Sequence, residues 1–173
     1  KITAIITLPI NKSKIMRISK NFIDHTEFYK KIDNRDANML FYSKKIIICP
    51  MTTHIPISKI KSYLNNKNLK NKINLLIKSL INDFNINKPK IAIVGLNPHA
   101  GENGKIGTEE KRILLPMIKK YKNNGYLING PFTGDTIFLK NNLKKYDCII
   151  TMFHDQALIP FKIYSFNEGV NFT

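Results

Sequence analysis

Three histidines occupy similar places in this chain. His54, His99 and His154 each stand a few residues beyond an apolar run, at residues 45–49, 90–94 and 147–152. Neutral imidazole is the commonest transition-metal ligand, and three of them around an open coordination position suit a catalytic divalent cation. Loop histidines also serve as solvated or capping groups, and these spacings match no short-range metal motif. The metal reading therefore depends on position: the three runs must be strands of one sheet, pointing the same way. The fourth histidine, His25, precedes Thr26 at the start of a predicted short helix. Asp24 is its N-cap, and Phe28 and Ile32 are its apolar residues. Free N–H groups at such an end suit an anion.

Other residues have chemistry to offer beside a simpler role. Asp135 follows Gly130-Pro131-Phe132-Thr133-Gly134 and fits either a helix N-cap or a working carboxylate. Asp155 beside His154 fits an orienting partner for that imidazole or a first-turn acid. Glu102 fits a base or a turn residue. Lys162 lies eight residues beyond His154, about two helical turns along; it can meet an anionic substrate or simply be one more surface lysine. Asn171 carries no functional signal of its own.

The elements that must position these groups begin with the stretch Gly95–Glu110. It holds four glycines and too few apolar residues for core. The strand Lys90–Val94 enters it, and a helix over residues 108–122 leaves it, with Thr108 as N-cap and Asn123-Asn124-Gly125 as the stop. Elsewhere the patterning predicts a strand at 2–7, a helix at 11–19, a strand pair at 38–42 and 45–49, and a helix from Pro56 to Tyr63. It predicts an amphipathic helix over 71–84, with Ile73, Leu76, Ile77, Leu80, Ile81 and Phe84 on one face. A strand at 126–129 ends in a Gly-Pro loop, and a strand at 147–152 runs into a helix over 154–164. Strands alternating with helices mean an α/β fold, a mostly parallel sheet flanked by helices. Ligands of such sheets sit beyond the carboxyl ends of the strands.

Composition narrows the classes. The 173 residues carry a formal charge of +16, and 43% are hydrophobic. The lysines are dispersed among isoleucine and asparagine, with Asn65–Lys72 the extreme case. All three have AT-rich codons, so base composition accounts for the charge, and there is no arginine cluster with interleaved aromatics. Nucleic acid is thus not the expected partner. No apolar run is long enough to span a membrane, so no membrane partner is expected. The start shows no signal-peptide pattern, and both ends look cut. Cys49 and Cys148 lie in apolar strand patterns and read as buried thiols of a reducing compartment, the cytoplasm.

Taken together, the motifs resemble the 4-hydroxythreonine-4-phosphate dehydrogenase family of the vitamin B6 (pyridoxal phosphate) pathway. Gly95-Leu96-Asn97-Pro98-His99-Ala100-Gly101-Glu102 and His154-Asp155-Gln156-Ala157-Leu158-Ile159-Pro160-Phe161-Lys162 resemble its signature segments. His25-Thr26-Glu27-Phe28, Thr52-Thr53-His54-Ile55-Pro56, Gly130-Pro131 with Asp135-Thr136, and Gly169-Val170-Asn171 match in the same order. The resemblance implies an isocitrate/isopropylmalate-dehydrogenase type of fold, with two lobes in the full protein. This chain would be the central portion, lacking N-terminal and C-terminal segments. It implies a homodimer with shared active sites. It implies His54, His99 and His154 as ligands of a divalent metal (zinc, magnesium or cobalt), and His25, Thr26, Lys162 and Asn171 as substrate-binding. Asp135 and Lys162 would be catalytic.

The implied reaction is NAD(P)-dependent oxidation and decarboxylation of 4-phosphooxy-L-threonine to 3-amino-2-oxopropyl phosphate. The same motifs would serve a paralogous dehydrogenase of a four-carbon sugar-acid phosphate such as threonate or erythronate 4-phosphate; a truncated, non-catalytic remnant is the third reading. The chain departs from the family pattern at Leu8, where glycine is usual before Pro9. It contains no Gly-x-Gly-x-x-Gly fingerprint, so no residue is assigned to the dinucleotide.

Overall fold

The computed structural model describes residues 4–8, 10–11, 14–15, 17 and 25–173. The chain divides into two units, residues 1–37 and 38–173. In the first unit, α1 spans His25–Asp33, so His25 and Thr26 open a helix as expected. Phe28 and Ile32 lie largely exposed, and Thr26 is the residue α1 buries. The predicted N-cap, Asp24, lies outside the described residues. Residues 4–7 of the predicted first strand are irregular and exposed; among the described residues no strand pairs with them, and a strand without a ladder has no partners for its backbone groups. Of the predicted helix at 11–19, residues 14, 15 and 17 are helical, with the Lys14 and Ile15 N–H groups donating to the Asn11 carbonyl.

The second unit is built on six strands: β1 Leu40–Tyr42, β2 Ile47–Pro50, β3 Ile91–Val94, β4 Ile128–Phe132, β5 Cys148–Thr151 and β6 Val170–Phe172. Their order across the sheet is β4-β3-β5-β2-β1-β6. β4, β3, β5 and β2 are mutually parallel, whereas β1 runs antiparallel to both β2 and β6. The predicted strand pair is thus the β1–β2 hairpin. The central strands are buried on both faces, which explains why they read as continuous apolar runs rather than alternating ones.

Period-two geometry sends alternate residues to two cores. Ile47, Cys49, Ile91, Ile93, Cys148 and Ile150 face one core. It is closed by helices α2 Ile57–Tyr63, α3 Asn66–Asn82 and α4 Leu115–Asn123. Phe41, Ile48, Ala92, Val94 and Ile149 face the other. This side is covered by the short α5 Gly134–Ile137 and by α7 His154–Ser165; α6 Lys140–Leu143 lies between them in sequence. Both cysteines are buried free thiols. Burial pushes the Cys49 thiol up to about 11, and raises that of Cys148 as well.

In this unit α3, the helix after the glycine loop and β4 depart from the patterning, and the short α5 and α6 were not predicted. α3 begins five residues early, because the Asn65 side chain caps it by accepting from the Asn68 N–H, and Leu69, one turn before Ile73, extends the buried face. The helix after the glycine loop is not continuous. Glu110–Leu114 forms a wide turn in which the Leu115 N–H reaches back to the Glu110 carbonyl, and α4 follows. Pro116 has no N–H, and its ring displaces the carbonyl four residues back, which widens the preceding turn. β4 continues through Gly130-Pro131 where a loop was expected. Its register against β3 shifts between Ala92 and Val94, and an irregularity of this kind accommodates a proline in a ladder. No described helix is long and apolar enough to cross a membrane.

Candidate active site

The sheet order meets the positional condition. β3, β5 and β2 are adjacent and parallel, in the register Ile93–Ile150–Cys49. From that level His99 follows six residues on, His154 four and His54 five. All three therefore leave the same edge of the sheet from neighbouring strands, which lie roughly 5 Å apart. β4 adds Asp135 on the far side of β3, so the edge reads Asp135, His99, His154, His54.

Backbone pairing continues past the strand ends and joins two of these loops. The Met51 N–H donates to the Thr151 carbonyl at 2.8 Å, and the Thr52 hydroxyl and N–H donate to the Met152 carbonyl at 2.8 and 3.2 Å. His54 and His154 are accordingly side by side, with ring centroids 5.6 Å apart. The Nδ1 of His154 lies 2.7 Å from an oxygen of Asp155, which is also the acid in the first turn of α7, so the structure accommodates both readings of that carboxylate. Phe41 packs edge-on against the same imidazole.

Gln156 joins the third loop. Its carbonyl oxygen accepts from the Met152 N–H at 2.7 Å, and its amide donates to the Gly95 carbonyl at 2.9 Å. One side chain thus bridges the end of β5 to the end of β3, where the glycine loop begins.

That loop has an unusual backbone. His99, Ala100, Gly101, Glu102 and Asn103 all have φ between 44° and 80°, a full left-handed turn. Four of these five have side chains, and for such residues the conformation costs about 1–2 kcal/mol each. The offset comes from Glu109 and Glu110, 7% and 2% exposed. The Asn97 N–H donates to Glu110 Oε1 at 2.7 Å, and its amide nitrogen lies 2.9 Å from both Glu109 Oε2 and Glu110 Oε2. Three bonds to carboxylates at roughly 1.5–3 kcal/mol each are of the same size as the strain. The exposed Lys61 ammonium meets the other oxygen of Glu109 at 2.7 Å. That contact first, and Asn97 second, hold the Glu109 carboxyl down to about 2.

The glycines serve this packing. A Cβ on Gly101 would stand 2.6 Å from Glu110 Oε2, and one on Gly107 would overlap the Asn97 side chain. Their neighbours are loop and carboxylate atoms of the chain itself. In the sequence the two acids directly follow the Thr108 N-cap and read only as first-turn helix residues. An Asn-Pro-His run with Glu-Glu beginning twelve residues after its Asn was the available signal.

His54 and His99 are exposed and His154 half-buried, so solvent reaches all three. Among the described residues, no three His, Cys, Asp or Glu side chains stand close enough together to hold a metal ion. The structure pairs His54 with His154 and brings His99 to the same edge on its own loop. Asp135 lies in the first turn of α5, whose N-cap is Thr133, so it is not itself the cap. The nearby Thr133 hydroxyl lowers its pKa, and His99 adds a smaller electrostatic contribution. Lys162 is exposed on α7, about 12 Å along the helix from His154 and about 80° around it. Asn171 pairs across the ladder with Phe41. Opposed residues share a face, so Asn171 lies on the α7 side of the sheet, with Phe41 and Phe161. Glu102 is exposed within the left-handed turn. His25 and Thr26 belong to the other unit.

Comparison with known proteins places this geometry. The family model described as "Pyridoxal phosphate biosynthetic protein PdxA" matches residues 1–173. The 4-hydroxythreonine-4-phosphate dehydrogenase of Sulfurihydrogenibium sp. is 39% identical over 100% of this chain and 53% of its own length. A Salmonella typhi protein named for D-threonate 4-phosphate dehydrogenase activity is 36% identical over 99% of this chain and 53% of its own. A crystal structure of 4-hydroxythreonine-4-phosphate dehydrogenase from Klebsiella pneumoniae matches with a TM-score of 0.80 and 33% identity, over 95% of this chain and 50% of that one. The chain spans about half the length of the curated relatives it matches. The mixed, mostly parallel sheet flanked by helices agrees with the isocitrate/isopropylmalate-dehydrogenase type of α/β fold. Matched along its whole length by the family model, and similar over nearly all of it to these relatives and this solved structure, the chain belongs to the PdxA family of pyridoxal phosphate biosynthetic proteins.

Proposed function

We propose that this chain is the central portion of a two-lobed, cytoplasmic NAD(P)-dependent dehydrogenase acting in vitamin B6 biosynthesis. Its substrate is 4-phosphooxy-L-threonine, oxidised at the secondary alcohol and decarboxylated to 3-amino-2-oxopropyl phosphate. The observation that carries this reading is the arrival of His54, His99 and His154 at one sheet edge from three adjacent parallel strands, in a chain of this family.

The donor set fits a divalent cation: three imidazoles, one of them oriented by Asp155, and all open to solvent. His54, His99 and His154 would hold zinc, magnesium or cobalt, which when bound acidifies the substrate hydroxyl and polarises the ketone, while the nicotinamide takes the hydride. The chain's own residues do the rest. Asp135, kept anionic beside His99, accepts the hydroxyl proton. The Lys162 ammonium offsets negative charge on the phosphorylated substrate. The substrate-binding roles of His25, Thr26, Lys162 and Asn171 rest on their motifs, each tested by its own substitution. A homodimer with shared active sites rests on the same motifs.

The test is a substrate panel: 4-phosphooxy-L-threonine, threonate 4-phosphate and erythronate 4-phosphate, each with NAD or NADP and a divalent metal. Reduced nicotinamide should form from the first. Preference for a sugar-acid phosphate would establish the paralogous activity, which the name of the Salmonella typhi relative keeps in view. No turnover of any of them would leave the non-catalytic reading.

A further inference from the structure

The dehydrogenase reading gives Asn97, Glu109 and Glu110 no role, yet they are the best-connected polar groups at this edge. A helix residue needed only for packing would be apolar. Glu110 is instead a carboxylate 2% exposed, and a buried carboxylate requires donors. It takes them from Asn97: the backbone N–H on one oxygen and the side-chain amide on the other. Inside the turn the bonds are local, Ala100 N–H to Asn97, Lys105 N–H to Glu102 and Ile106 N–H to Gly101. Asn97 ties that strained turn to a rigid element, and it stands two residues before His99. Gly95, Gly101 and Gly107 all pack against Glu110 or Asn97, so the backbone around His99 is moulded on this pair.

We propose that Glu110, acting through Asn97, is a positioning residue for His99. The carboxylate holds the left-handed turn in the shape that presents this imidazole at the sheet edge it shares with His54 and His154. The inference rests on the reading of His99 as a ligand of the divalent cation, and deepens it. Glu109 supports the same amide and links it to α2 through Lys61.

The test uses Glu110→Gln, which keeps the shape but sets an amide against one of the Asn97 donors, and Asn97→Ala as the milder variant should the first not fold. Two quantities are read in the intact protein. Hydrogen exchange of the 100–106 amides without metal reports the turn alone. Titration with cobalt(II), followed by its visible absorption, reports the ligand set, with His99→Ala as reference. The expected result is exchange at least about tenfold faster in the turn, unchanged exchange in α3, and cobalt bound about 10–100-fold more weakly. Unchanged exchange in both variants would overturn the inference. So would cobalt affinity equal to wild type in Glu110→Gln when His99→Ala has lost it. Faster exchange together with wild-type affinity in His99→Ala would overturn the ligand role of His99 while leaving Glu110 as the clamp of the turn.

Discussion

Gln156→Glu changes one atom in the bridge between two of the histidine loops. The retained oxygen still accepts from the Met152 N–H, but the amide that donated to the Gly95 carbonyl becomes a second acceptor facing it. The lost hydrogen bond is worth about 0.5–1.5 kcal/mol, and leaving a half-buried carbonyl opposite an acceptor adds roughly 1–3 kcal/mol. A net loss of about 2–4 kcal/mol follows. With a urea slope of about 2 kcal/mol/M, the unfolding midpoint at about pH 8 should fall by about 1–2 M. Protonation restores a donor. The introduced carboxyl has its pKa raised in the folded state by the facing carbonyl, so its penalty is complete above that folded value. The penalty shrinks as pH falls through it toward the unfolded value of about 4.3. Gln156→Ala, which loses both bonds and gains no titrating group, supplies the reference. If the midpoint of Gln156→Glu matches wild type, or lies equally far from Gln156→Ala at about pH 8 and about pH 5, the bridge does not join the loops as described.

Two further predictions concern the glycine loop. Gly101 and Gly125 have nearly the same φ, 80° and 83°, but a Cβ at Gly125 meets nothing within 4 Å. Gly125→Ala should cost about 1–2 kcal/mol for its backbone alone, whereas Gly101→Ala adds overpacking of about 1–3 kcal/mol against Glu110. Equal shifts in Tm would show that the loop is not packed on Glu110. The second prediction concerns acid. The Glu109 carboxyl is held near 2 in the fold against an ordinary 4.5. Its contribution is present above about 4.5 and is lost as pH falls from there toward 2. Wild type should therefore lose more stability across that window than Glu109→Gln does; parallel acid profiles would contradict it.

The candidate site was legible where its signals were local. An apolar run with a histidine a few residues past its end needs no partner to be recognised, and β2, β3 and β5 each supplied one. The sheet order that makes those strands neighbours came from packing, which no single run encodes. The same holds for Glu109 and Glu110: as first-turn acids they satisfied a local rule, and only the fold brings them onto Asn97. Pro116 and Pro131 show the converse. Both were visible, but the wide turn before α4 and the shifted β4 register depend on how neighbouring backbone adjusts. The run Asn65–Lys72 looked like compositional drift because its one core residue, Leu69, is surrounded by asparagine and lysine. Burial of Leu69 and the Asn65 cap make it the first turns of α3.

The central claim is that three imidazoles from three adjacent strands hold one divalent cation. Calorimetric titration of wild type and of His54→Ala, His99→Ala and His154→Ala with zinc or cobalt tests it most directly. The account predicts a single site in wild type, weakened on the order of 100-fold or more by each substitution, since losing a ligand must cost at least as much as losing an orienting partner. Wild-type affinity in any of the three would contradict it.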